Sequence, residues 1–176
     1  MPDATYCYCM SGHYIGAFNV VIRFRSSGQV RAMMERKSQE GPHLTPDFCT
    51  KCGDAIISAC QQCKTPIELK SPAHRRPAYC SGCGKPFPWT ETAILAAKDY
   101  TDQIEGVSAE DKTTLKESFT DLTKGTAKTP LAASTFTNLV KRIAPPAMDG
   151  LMKILGPVMT DWVKKHIRAV TSGRLK

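Results

Sequence analysis

The sequence predicts a small α+β protein in two parts, a turn-rich module over residues 1–88 and an α-helical bundle of about four helices over residues 89–176. Three observations predict it. All eight cysteines precede residue 88. Six of them form C-x-x-C pairs, a turn that lets two thiolates converge on one ion, so the first part reads as a double zinc ribbon with short β-hairpins. The second part has no cysteine and shows helix caps followed by apolar residues at helical spacing.

Along the first part, "AFNVVIRFR" (Ala17–Arg25) has strand-forming residues before the turn "SSGQ", and "VRAMMERK" (Val30–Lys37) reads as its return strand in preference to a short helix. Together they form a hairpin inserted at about residues 14–43, followed by the loop "SQEGPHLTPD". "AII" and "PIEL" are short enough to be small strands between metal sites.

In the second part, Thr90 is expected to cap a first helix ending near Gly106. Ser108 with Asp111 three residues on resembles a capping box before Leu115, Phe119 and Leu122. Thr129 is expected to cap a helix with Pro130 at its first position and Phe136, Leu139, Val140 and Ile143 on one side. The last helix, about Pro146 to Val170, gathers Met148, Leu151, Met152, Leu155, Val158, Met159, Trp162, Val163 and Val170 on one arc. Gly156 and Pro157 interrupt it, so a kink or a break into two helices is expected there. His166 lies in that arc with no cysteine or second histidine beside it and is given no role.

The metal constellation consists of four knuckles, "CMSGH", "CTKCG", "CQQC" and "CSGCG". Cys60 and Cys63 pair with Cys80 and Cys83 across sixteen residues, a usual ribbon length. That leaves Cys9 and His13 to meet Cys49 and Cys52. The rival pairing of Cys49/Cys52 with Cys60/Cys63 has only seven residues in which to turn round. Cys7 competes with His13 for the first site, since "CYC" could supply both thiolates. With Cys9 and His13 preferred, Cys7 is a free thiol.

These motifs, "CMSGH", "FCTKCG", "CQQCKTPI" and above all "YCSGCGKPFPWTE", resemble an uncharacterised bacterial double zinc ribbon family, a domain of unknown function with C-terminal helices. The resemblance extends more loosely to "TPLAASTFTNLVKRIA" and the last helix. It implies a bacterial cytosolic protein with two structural Zn²⁺ ions in the knuckle order above, and it carries over no catalytic activity. The chain departs from the pattern in the long segment between His13 and Phe48 and in "QQ" where ribbons often carry proline.

A catalytic zinc keeps a position open to water, whereas these knuckles fill both tetrahedra with protein ligands. No HExxH, deaminase or Walker pattern supplies a base or a phosphate cradle. The expectation is therefore a non-enzymatic zinc protein that acts as a scaffold for protein interaction or self-association through its helical half. Nucleic-acid binding is the alternative, carried by Arg75 and Arg76 near His74 and Tyr79, with Arg23, Arg25 and Arg31 on the inserted hairpin. Association with a membrane surface through the last helix is the lesser alternative. No small-molecule substrate is expected.

The formal charge of +8 weakens as a nucleic-acid signal, because seven thiolates on two Zn²⁺ would leave about +5. Residues 91–123 carry eight acidic side chains against three basic, and residues 124–176 ten basic against two acidic. Such polarity can arise from helices that face each other. The residues expected to meet a partner are Arg75, Arg76, Phe87, Trp89 and Trp162. For Phe87 and Trp89 the preferred role is a rigid joint stiffened by Pro86 and Pro88, and only a surface-exposed pair would mark the partner site. The chain begins without a basic, apolar leader pattern, and C-x-x-C pairs suit a reducing compartment, so a cytoplasmic location is expected.

Overall fold

In the computed structural model, which describes residues 5–18, 46–68, 76–143 and 145–171, the chain divides into two compact units, Met1–Lys85 and Pro86–Lys176. The first unit holds a three-stranded antiparallel sheet of order β2-β1-β3, with β1 Thr5–Cys9, β2 Tyr14–Phe18 and β3 Ile56–Ile57. In β1, Tyr6, Cys7 and Tyr8 face Ala17, Gly16 and Tyr14, with a bulge between Cys7 and Tyr8. The turn from β1 to β2 is "MSGH". Gly12 takes φ +82 there, a left-handed backbone that a residue with a Cβ adopts only at a cost.

The β1–β2 hairpin is absent from the sequence reading, which placed strands further on, at Ala17–Arg25 and Val30–Lys37. That inserted hairpin and its loop lie outside the described residues, apart from β2 itself and Pro46 and Asp47 at the end of the loop. "AII" does contribute β3, and Pro66 of "PIEL" forms an isolated bridge to Ala59. Backbone bonds from Tyr6 N–H to the Ile67 carbonyl (2.9 Å) and from Met10 N–H to the Ala55 carbonyl (3.0 Å) draw the later knuckles onto β1.

Among the described residues the second unit holds five helices: α1 Pro88–Asp102, α2 Ala109–Lys124, α3 Thr129–Val140, α4 Pro145–Leu155 and α5 Asp161–Thr171. The helix counted last in the sequence is thus two. After Leu155 the chain turns through Gly156 and Pro157, with Val158 and Met159 N–H both bonded to the Leu155 carbonyl. Thr160 then receives the Val163 N–H on its hydroxyl (3.4 Å) and starts α5.

Helix α1 packs on α2 and α4, α2 on α3, and α3 on α5. Leu115, Phe119, Leu122, Ala133, Phe136, Leu151, Leu155 and Val163 are fully buried in one apolar cluster. Phe119 and Phe136 meet edge to face at 6.4 Å. Gly150 lets α4 approach α1 closely, since a Cβ there would come within 2.3 Å of the Tyr100 hydroxyl. Lys116 pairs with Asp102 between α2 and α1. An ion pair at 3.7 Å joins Arg142 to Asp111 and thereby links the basic and acidic segments.

The caps divide. Ser108 accepts the Asp111 N–H at 3.1 Å, and Gly125 closes α2 at φ +65. Thr90 is not a cap: α1 begins two residues earlier at Pro88, after Phe87, because a proline is preorganised for the first turn. Thr129 is not one either. It lies within α3, where its hydroxyl accepts from Thr126 N–H (2.8 Å) and donates to the Asp121 carbonyl (2.9 Å), so it locks the preceding turn instead.

Candidate metal centres

Each knuckle is a tight turn that closes on its own first cysteine. Gly53 N–H bonds to the Cys49 carbonyl, Lys64 N–H to that of Cys60 and Gly84 N–H to that of Cys80, at 2.8 to 2.9 Å. Cys49, Cys60 and Cys80 N–H in turn bond to the carbonyls of Asp54, Thr65 and Lys85. The residue that follows the second cysteine is left-handed in all three, at φ +76 for Gly53, +62 for Lys64 and +69 for Gly84. Glycine meets this demand twice, and Lys64 is the described non-glycine residue that also adopts it. The first knuckle is built differently, on the β1–β2 turn, with Gly12 N–H on the Cys9 carbonyl and Cys9 N–H on that of His13.

These turns bring eight side chains into two groups of four, Cys9/His13/Cys49/Cys52 and Cys60/Cys63/Cys80/Cys83. Within each group all four donor atoms lie within 4.8 Å of one another. In the first, Cys9 Sγ is 3.4 Å from His13 Nδ1 and 3.6 Å from Cys52 Sγ, and Cys49 Sγ is 3.7 Å from the same nitrogen. In the second, Cys60 and Cys83 Sγ are 3.8 Å apart, and Cys63 and Cys80 Sγ 3.5 Å. Bonds of about 2.3 Å to sulfur, arranged as a tetrahedron, put the donors about 3.8 Å apart. A disulfide would need about 2.05 Å, and all eight cysteines are free. The donor sets and spacings therefore fit a four-coordinate divalent metal such as zinc.

Hydrogen bonds reach several of the sulfurs. His13 N–H points to Cys9 Sγ (3.2 Å), Gly82 N–H to Cys80 Sγ (3.3 Å), and the Thr65 hydroxyl lies 3.1 Å from Cys63 Sγ. The backbone N–H of Lys51 brings the Cys49 thiol down to about 6, and the Thr65 hydroxyl brings that of Cys63 down to about 6. Cys7 joins neither group. It is buried in β1, and burial pushes its thiol up, which keeps it protonated and inert.

The other expected site residues scatter. Arg75 lies outside the described residues, as do Arg23, Arg25, Arg31 and His74. Arg76 is half-buried and donates to the Ser11 carbonyl at 2.9 Å. Phe87 and Trp89 stack at 4.8 Å and are both buried. Trp162 is 49% exposed and stacks on His166 at 5.1 Å, so it leaves the buried part of its arc. Sequence reasoning missed Arg76 as part of a knuckle and Lys64 as a left-handed residue. The slot that glycine fills in "CTKCG" and "CSGCG" was the available signal for Lys64.

Short antiparallel strands, five helices and two cysteine-rich clusters compatible with zinc define the class of protein. The chain belongs to the bacterial family described as "Uncharacterized protein conserved in bacteria (DUF2321)", which matches residues 28–167. The matched span includes six of the eight cysteines and begins after Cys9 and His13. No curated protein and no solved structure matches the chain. Among the described residues no helix is long and apolar enough to cross a membrane.

Proposed function

We propose that this is a non-enzymatic zinc protein whose ribbon unit holds two structural Zn²⁺ ions, one on Cys9, His13, Cys49 and Cys52 and the other on Cys60, Cys63, Cys80 and Cys83. The observation that carries the reading is the convergence of four protein donors in each cluster, which leaves no position for water or substrate. Free thiols in C-x-x-C pairs support a reducing, cytoplasmic setting. Metal analysis of the purified protein is expected to give two zinc ions per chain, and a value near one or zero overturns the proposal.

The rigid ribbon serves as a scaffold, and the helical unit makes the protein contact or self-association. Trp162, half-exposed on α5 beside His166, is the side chain best suited to anchor it, since tryptophan is enriched among the residues that dominate interface energetics. Arg76 is already engaged by the backbone of the first knuckle, which weakens the nucleic-acid alternative. The solution mass of the zinc-loaded chain is expected to exceed one protomer and to fall in Trp162→Ala. A monomer at all concentrations, with no partner lost on that substitution, overturns the contact role.

A further inference from the structure

The turn that carries His13 is gripped at each of its three preceding residues. Met10 bonds through its backbone N–H to the Ala55 carbonyl, and its sulfur receives Gln61 Nε2 at 3.2 Å. The Ser11 hydroxyl donates to the Asp54 carboxylate, which sits just after the second knuckle of the same cluster. The Ser11 carbonyl accepts from Arg76 Nη1 at 2.9 Å. Gly12 is buried beneath that guanidinium: a Cβ there would fall 2.1 Å from Nη1 and 2.9 Å from Cδ and Cζ of Arg76.

We propose that Arg76 is the positioning residue of the first metal centre, fixing the Ser11–Gly12 turn so that His13 Nδ1 stays at its donor position. The proposal rests on the zinc reading above and deepens it. All four knuckles close through paired backbone bonds, but this one spans three residues between its donors instead of two, so its histidine sits at the end of a longer turn on which the outside grip acts. Arginine suits the task, because its planar fork bonds a carbonyl while its charge remains fixed. Three thiolates and a neutral imidazole on Zn²⁺ carry one net negative charge, and a guanidinium beside the Cys9 knuckle offsets it. Arg76 comes from the segment four residues before Cys80, so the grip also ties the first centre to the chain that builds the second.

The test is Co²⁺ substitution of the full chain, in which a site with three sulfurs and one nitrogen and a site with four sulfurs absorb at different visible wavelengths. Release of each to a chelator is then timed separately. Arg76→Ala is expected to speed loss from the first centre by about 10- to 100-fold and leave the second unchanged. Arg76→Lys, which keeps the charge without the fork, is expected to restore only part of the difference. Release from the first centre within twofold of wild type, or equal acceleration at both centres, overturns the proposal. Should the alanine variant fail to fold, the lysine variant decides by the same two criteria. A wild-type chain that takes up no tetrahedral Co²⁺ overturns the zinc reading itself, a separate result from unequal release.

Discussion

Among the described residues of the first unit, the buried apolar side chains are Tyr8, Ile67 and the cysteines Cys7, Cys9, Cys49, Cys60 and Cys80. The helical unit buries sixteen apolar residues in one cluster and contains no cysteine. Both must offset a backbone entropy cost of about 1–2 kcal/mol per ordered residue. The helical unit does so by burial, with apolar side chains from all five helices, Phe119 and Phe136 among them. The described part of the first unit buries few apolar side chains, and on the zinc reading proposed above the convergence of thiolates and an imidazole on metal takes their place. On that reading stability in one half is a property of ligation, and in the other of packing.

The largest test of that contrast is metal removal. Binding of a structural zinc contributes about 10 kcal/mol or more to small domains of this kind. Chelation under reducing conditions is expected to unfold residues 1–85 while the helical circular dichroism of residues 86–176 persists. Protease cutting confined to the first unit would register the same split. Loss of helix in step with zinc would show that the two halves do not stand apart energetically.

The converse comes from the packing side. Phe136 is fully buried against Phe119 and has no part in either cluster. Phe136→Ala is expected to cost about 3–5 kcal/mol through lost burial and the cavity left behind. The denaturant midpoint of the helical signal should fall while zinc content stays at two per chain. Zinc loss in this variant would contradict the division.

A smaller effect is expected at the start of α2. Ser108→Ala removes the acceptor of the Asp111 N–H and should cost about 1 kcal/mol, again without touching metal content. An unchanged thermal midpoint would mean that water replaces the cap at no cost.

How far the sequence could be read follows the same division. C-x-x-C is a local turn, so its spacing announces the cysteine clusters, and the choice between Cys7 and His13 could be argued from the glycine before the histidine. Helical periodicity announced Leu115, Phe119, Leu122 and Phe136. What stayed hidden depended on distant partners or on signals that read another way. β1 and β2 hold strand formers such as Tyr6, Tyr8, Tyr14 and Ile15, but they flank the Gly12 turn, whose sequence reads only as a metal knuckle. Arg76 reads as a surface cation because its bond to Ser11 spans sixty-five residues. Thr90 and Thr129 carry a cap's chemistry, but the prolines beside them set the helix starts.

Lys64 offers the finest probe, because it lies at the one C-x-x-C turn where glycine does not fill the left-handed position. A lysine there bears a steric cost of about 1 kcal/mol or a little more. Glycine would relieve it, while giving back part of the gain through the greater freedom of the unfolded chain. Lys64→Gly is therefore expected to stabilise the second centre by a net few tenths to about 1 kcal/mol. Gly84→Ala, at the matching position of the partner knuckle, should destabilise it by about 1 kcal/mol. Both can be read from the chelator concentration at which half the zinc leaves the second centre, with the helical unit's thermal midpoint as the internal reference. If Lys64→Gly loses zinc more readily than wild type, the lysine side chain contributes more to the knuckle than its backbone costs, and the turn is not under the strain its φ implies.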